Sequence, residues 1–203
     1  MITLKDFYRK GLSGKVNARW VCPETGLESP VVQKDNVIVY NAADIMAHLL
    51  SGDVTYTPSF IGYIYAPNTK TMTNPTTIGR SHTWEDIEDD VRTANGNMIL
   101  SPLGAVPLFD QDGTDYESNV ATLNALSDET ASLVFNGTGF ATTAPQAASD
   151  QYFQAVLIAR RYVAGSPDPV YVPFARTQFT SGVSGVDVQA SLQLSVYWTF
   201  TFK

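Results

Sequence analysis

From Val188 to Phe202 the chain alternates without a break. Val188, Ala190, Leu192, Leu194, Val196, Trp198, Phe200 and Phe202 are apolar, and Gln189, Ser191, Gln193, Ser195, Tyr197, Thr199 and Thr201 between them can face water or a partner. Successive side chains of a strand point to opposite faces, so the pattern sets one face on a core and the other outside. At about 3.3 Å per residue the stretch would reach about 50 Å, roughly two to three times a usual strand. It must either bend between two sheets or pair with more than one neighbour.

The same grammar recurs upstream. Tyr152 to Val163 is a long apolar run, and Val170 to Phe179 a shorter one with Pro173 inside it. Proline cannot donate to a ladder, so that run belongs at an edge or a bulge. Ala164 to Pro169 reads as the turn between them and Thr180 to Val186 as a loop, which predicts an antiparallel meander of three strands. Lys15 to Val21 alternates, Pro23-Glu24-Thr25-Gly26 makes a turn, and Val31-Val32, Val37 to Tyr40 and Phe60 to Ala66 read as further strands. Ten Tyr and ten Phe against four Met suit strands, and fourteen Gly and eleven Pro supply turns.

Two segments change period. Asn41 to Ser51 predicts a helix with Asn41 as N-cap, Asp44 in the first turn, Ile45 and Leu49 on the apolar stripe, and Gly52 at the C-terminal cap. Thr83 to Thr93 predicts a short acidic helix: Thr83 and Asp86 are spaced as a capping box, and Trp84, Ile87 and Val91 share a face. Around it, residues 67–150 are loop-rich, with weak strand signals at Val106 to Phe109 and Ser132 to Phe135. No repeat or boundary divides the chain, so its 203 residues are expected to form one domain with enough apolar material, 44%, for a real core. The predicted fold is mainly β, an antiparallel β-sandwich of jelly-roll or Ig-like type with one or two short helices.

Charge narrows the function. The net charge is −7, the 13 Lys and Arg are scattered, and no basic run is longer than a pair such as Arg160-Arg161. A nucleic-acid binder usually carries a basic patch, so no nucleic-acid partner is expected. No apolar run approaches the roughly 20 residues of a spanning helix, and Met1 to Lys10 does not read as a signal peptide, so no membrane partner is expected either. Cys22 alone cannot form an internal disulfide, and it reads as a half-buried small apolar residue.

Few motifs point to chemistry. Asp110, Asp112, Asp115 and Glu117 surround Gly113 and can converge on calcium, which takes six to eight oxygens. The glycine comes too early for an EF-hand and Ala121 stands where the closing Glu belongs, so a solvated Asp-Gly turn is the plainer alternative. Glu85, Asp86, Glu88, Asp89 and Asp90 can be imagined as a glycosidase pair but read more simply as a solvated helix face. His48 and His82 read as surface or packing residues. No HExxH, GxSxG, P-loop or GxGxxG occurs, and Asn136-Gly137-Thr138 fits a sequon that has no use without secretion. No catalytic residues and no cofactor beyond the calcium candidate are therefore expected. Trp20 and Trp198 sit on core faces of strands, which leaves Trp84 as the residue to test for stacking on a glycan.

Two stretches together resemble virion structural proteins of tailed bacteriophages, of the kind found at necks, tails and fibres. One is the strand Lys15 to Val21, the turn Glu24-Thr25-Gly26, the helix Ala42 to Asp53 and the strand Ile61-Gly62-Tyr63-Ile64. The other is Phe174-Ala175-Arg176-Thr177-Gln178-Phe179, a Gly/Ser loop, and Ser191-Leu192 leading to Trp198-Thr199-Phe200-Thr201-Phe202. The resemblance covers about half the chain and leaves residues 67–150 unaccounted for. It implies a multicopy, non-catalytic role in a particle, beside other virion proteins and copies of itself, made in the host cytoplasm. Capsid decoration and a carbohydrate-binding recognition module are the alternatives.

Overall fold

The structure, a computed structural model, describes residues 12–22, 24–28, 32–53, 55–66, 77–92, 99–102, 108–110, 115, 124–127, 132–139, 151–179, 186–187 and 193–202. Among them the elements run β1 (Leu12–Val21), β2 (Val32–Asp35), β3 (Val37–Ile38), α1 (Asn41–Leu50), β4 (Tyr56–Ala66), α2 (Trp84–Arg92), β5 (Ile99–Pro102), β6 (Phe109–Asp110), β7 (Asn124–Ser127), β8 (Ser132–Gly139), β9 (Gln151–Arg161), β10 (Val170–Gln178), β11 (Val186–Asp187) and β12 (Gln193–Phe202). They form a five-stranded sheet ordered β2-β1-β12-β8-β7 and a seven-stranded sheet ordered β3-β10-β9-β4-β5-β6, with β11 also paired to β9. Every strand pairing is antiparallel. The protein is mainly β, with two short helices among the described residues, as the alternation and the aromatic content predict.

The two sheets meet face to face. Val16, Ala18 and Trp20 of β1, Phe135 of β8 and Val196, Trp198 and Phe200 of β12 share one core with Ile61 of β4, Ala155, Leu157 and Ala159 of β9, and Phe174 and Ala175 of β10. Phe200 lies edge-on to Phe135 at 6.0 Å in its own sheet and to Phe174 at 5.2 Å across the sandwich. Each such ring or aliphatic side chain contributes about 1.5–3 kcal/mol by leaving water. From α1, Ala42 and Ile45 join this core.

The opposite face of the seven-stranded sheet is covered as well. Ile64, Leu100, Val156 and Ile158 pack there with Leu108 and with Ile87 and Val91 of α2. Burial on both sides explains why β9 reads as a continuous apolar run: all of residues 154–159 are buried. Among the described residues the five-stranded sheet has one core face, and β1, β2 and β12 keep the alternation of a half-buried sheet.

The chain changes sheets at Asn36, between β2 and β3. Asn36 N–H donates to Gly14 O at 3.3 Å, and the Thr177 hydroxyl donates to Asp35 O at 2.9 Å, so the crossing is tied to both sheets. At Gly14 a Cβ would stand 2.1 Å from Asn36 Oδ1, which is why a bare Cα is needed there.

Several expectations are corrected. The last strand does not continue a meander: β9 and β10 pair, but β10 takes β3 as its other neighbour while β12 lies between β1 and β8 in the other sheet. Of the long alternating stretch from Val188, Gln193–Phe202 is the strand β12 and residues 188–192 lie outside the described residues; Val186–Asp187, just before it, pairs with β9 in the other sheet. Ser195, expected to face outward into water or a partner, is only 3% exposed, whereas Tyr197 and Thr199 on the same face are partly exposed. Helix α1 is N-capped by Tyr40 without a side-chain bond, and Asn41 is already helical. Its C-terminus does end as expected. Gly52 adopts φ +81°, Gly52 N–H donates to Leu49 O at 3.2 Å and Asp53 N–H to His48 O at 2.9 Å, the pairing of a Schellman cap. Strands β5 and β7 had no clear sequence signal, and β8 runs further than Ser132 to Phe135. Of the loops expected at Asn68 to Gly79, Ala141 to Asp150 and Thr180 to Val186, residues 68–76, 141–150 and 180–185 lie outside the described residues, 77–79 have no regular structure, and Val186 is already in β11.

Candidate functional site

The residues singled out in the sequence do not gather at one place. Asp110 ends β6, paired with Ile99, and Asp115 is exposed and ion-paired with Arg92; Asp112 and Glu117 lie outside the described residues. Among the described residues no group of three or more His, Cys, Asp or Glu is placed to hold a metal ion. Trp20 and Trp198 are buried in the sandwich core. Trp84 is half-buried, its ring 5.1 Å from that of Tyr171 and its Nε1–H donated to Glu88 at 3.2 Å. Cys22 is half-buried, and hydrogen bonds from the Thr25 side chain and backbone and from the Glu24 backbone hold its thiol below the usual value.

The acidic cluster on α2 divides by role. Asp86 accepts from Thr83 N–H at 2.7 Å and from the Thr83 hydroxyl at 3.1 Å, half of the expected capping box, and the Thr83 backbone bond lowers its pKa. Glu85 and Asp89 are exposed. Asp90 is fully buried, which the solvated-face reading missed. It lies between Ile87 and Val91 on the helix face that meets the sheet, and a carboxylate there needs a buried partner.

That partner is Arg176, itself 0% exposed. Its Nη2 donates to Asp90 Oδ2, its Nε donates to Gln154 Oε1 at 2.8 Å, and Gln154 Nε2 donates to Asp90 Oδ2 at 3.3 Å. The side chain reaches this face because of a bulge. In β10, Val172 and Ala175 pair with Ala159 and Leu157 on the sandwich side, while Pro173 and Arg176 pair with Ile158 and Val156 on the α2 side. Without the extra residue at 174, plain alternation would have put Arg176 among the core side chains of the sandwich with Val172 and Phe174. Pro173 signalled the bulge in the sequence; the change of face was not drawn from it.

His82, 7% exposed, closes the cluster. Its Nδ1 stands 3.0 Å from Nη1 of Arg176, and a guanidinium can only donate, so Nδ1 accepts and the neutral ring carries its proton on Nε2. A hydrogen bond to the Thr77 backbone favours that proton. Gly79 N–H also approaches Nε2, at 3.3 Å; with Nε2 protonated this is a contact rather than a hydrogen bond. Burial first, and then the Arg176 charge, push His82 below the usual histidine value, against the pull of Asp86 and Asp90. Burial lowers Arg176 too, with Asp90 opposing. A side chain so enclosed cannot meet a substrate; the cluster fastens α2 to the sheet.

His48 sits in a different setting. Its Nδ1 is 2.7 Å from Asp53 Oδ2, its Nε2 is 3.7 Å from Asp44 Oδ1, and its ring lies 4.9 Å from that of Tyr56. The Thr55 backbone bond, ahead of His48, holds Asp53 below the usual carboxylate range. These contacts close the end of α1 and tie it to β4.

The outer face of β1, β2 and β12 in the five-stranded sheet is polar. Lys15, Gln33 and Asp35 are exposed there, and Asn17, Arg19, Tyr197 and Thr199 are half-buried. Gln33 Nε2 donates to Asn17 Oδ1 at 3.0 Å, Arg19 pairs with Glu28, and the Arg19 guanidinium lies 5.3 Å from the centre of the Tyr197 ring. Backbone register sets Gln33, Asn17, Tyr197, Asn136 and Asn124 side by side across all five strands. Such a face is pre-ordered by its own cross-strand contacts and presents hydrogen-bonding groups to whatever lies on it. No family model matches this chain, and neither a curated protein nor a solved structure is similar to it.

Proposed function

We propose that this chain is a non-catalytic structural protein of a tailed-bacteriophage particle, a multicopy component of neck, tail or fibre that packs against copies of itself and other particle proteins. The observation that carries the reading is a contrast among the described residues: the seven-stranded sheet is covered on both faces, while β1, β2 and β12 of the other sheet pack one face on the core and carry polar, partly exposed side chains on the other. A flat surface of linked Asn, Gln, Arg, Thr and Tyr side chains suits protein packing, since Tyr and Arg are enriched at interfaces and the polar groups set register. Exposed apolar side chains, Leu50 at the end of α1 and Tyr162, Val163 and Val170 at the β9–β10 turn, add contact points on another part of the surface. The element order that resembles tailed-phage virion proteins supplies the setting.

Immunogold labelling of intact particles is the direct test. Label at neck, tail or fibre is the expected result, label over the head indicates capsid decoration, and absence from both intact and disrupted particles overturns the proposal. Replacing Tyr197 and Arg19 with Ala together should leave the fold intact and weaken self-association or incorporation, read by sedimentation and by the copy number in purified particles.

A further inference from the structure

We propose that the buried cluster of His82, Arg176, Asp90 and Gln154 is an acid-sensitive latch that holds α2 on the seven-stranded sheet and releases it when His82 takes up a proton. The argument is geometric. His82 Nδ1 accepts from Arg176 Nη1 at 3.0 Å inside a site closed to water. A proton on Nδ1 would set donor against donor and cation against cation at that distance, where little solvent screens them.

The groups facing His82 do not relieve the clash. From β10 it meets Arg176, from α2 it meets Asp86 and Asp90, and within its own loop the Thr77 backbone already bonds it. Asp90 Oδ2 accepts from Arg176 and Gln154 and Asp86 Oδ2 from Thr83, and the attraction of the two carboxylates for a charged His82 is outweighed by its burial and by the Arg176 charge at 3.0 Å. The neutral Gln154 of β9 accepts from Arg176 through Oε1 and donates to Asp90 through Nε2. The cluster can accommodate an imidazolium only by moving His82 away, and His82 is followed directly by the Thr83 cap of α2. Release would uncover Ile64, Leu100, Val156 and Ile158, an apolar sheet surface that α2 otherwise covers.

The direction in pH follows. A buried neutral histidine lowered below its unfolded value stabilises the docked state fully above that value, about 6.5, and loses the contribution as pH falls through the lowered native value. The latch is therefore shut at neutral pH and opens on acidification.

Trp84 reports the event, because it stands on α2 against Tyr171 while Trp20 and Trp198 lie in the other core. The full chain should show a reversible change in tryptophan emission between about pH 7.5 and pH 5, with far-UV circular dichroism retaining the strand signal. The change should vanish in Trp84→Phe and in His82→Gln, whose amide oxygen can still accept from Arg176 but does not titrate, and should persist in His48→Gln. With only two histidines in the chain, proton NMR of the imidazoles gives a second measurement that needs no substitution at the cluster. His82 titrating below the ordinary value, with α2 resonances shifting at the same midpoint, supports the latch even if His82→Gln fails to fold. A transition unaltered in a folded His82→Gln, or His82 titrating without movement of α2, overturns it.

Discussion

The two helices among the described residues are docked by opposite means. Helix α1 inserts Ala42 and Ile45 into the sandwich core and keeps its ionic contacts, His48 with Asp44 and Asp53, at the half-exposed rim. Helix α2 buries its charge: Ile87 and Val91 flank Asp90, which meets Arg176 with both side chains fully enclosed. Apolar docking tolerates small shifts, since contact is non-directional. A buried carboxylate and guanidinium are satisfied only when their hydrogen bonds are met in one geometry. The α2 contact thus contributes register as much as energy, and its dependence on a histidine gives it a pH sensitivity for which α1 has no equivalent buried cluster among the described residues.

That contrast can be broken most forcefully at Asp90. Asp90→Ala leaves Arg176 buried without its counter-charge and should cost about 3–5 kcal/mol in urea unfolding. The double variant Asp90→Leu with Arg176→Met should recover much of that loss, because an apolar pair needs no fixed geometry, and should weaken the pH dependence of α2 docking to what the burial of His82 alone supplies. If single and double variants are equally damaged, the pair is not what fastens α2. On the other helix Ile45→Ala should cost about 2–5 kcal/mol, the usual loss for a core aliphatic, with no change in pH response.

Gly14→Ala tests the junction between the sheets. Its Cβ would meet Asn36 Oδ1, so the amide must move at the point where the chain crosses from one sheet to the other. A loss of about 1–3 kcal/mol is expected, and Asn36→Gly in the same chain should restore part of it. The smallest effect belongs to the rim of α1. His48→Gln should barely shift the thermal midpoint, since the pair it breaks with Asp53 is partly solvated and screened. A shift as large as that of Asp90→Ala would remove the distinction between the helices.

Much of the architecture was legible because it rests on local period. Alternation in Lys15 to Val21 and around Trp198, the three- and four-residue spacing of Ile87 and Val91, Gly52 at a helix end and Thr83 with Asp86 each report a face or a terminus that neighbouring residues determine. The candidate site was much less legible. Asp90 looked like one more acid in a charged run, although its place beside Ile87 and Val91 on the helix face was the available signal. Arg176 gave less warning: simple alternation assigns it to the wrong face, and only the bulge after Pro173 turns it toward α2. Pairing of strands far apart in sequence, such as β1 with β12, leaves no local trace in either strand.

What the sequence determined by itself is therefore most of the described elements, β5 and β7 apart, and the face that strands such as β1 and β12 bury, because hydrophobic period and cap chemistry act over a few neighbouring residues. The tertiary structure alone decided which sheet each strand joined, that the seven-stranded sheet is covered on both faces, and that Asp90, Gln154, Arg176 and His82 meet. Those outcomes depend on distant backbone pairings and on one inserted residue that reverses the alternation, and a buried charge finds its partner only after both have been made.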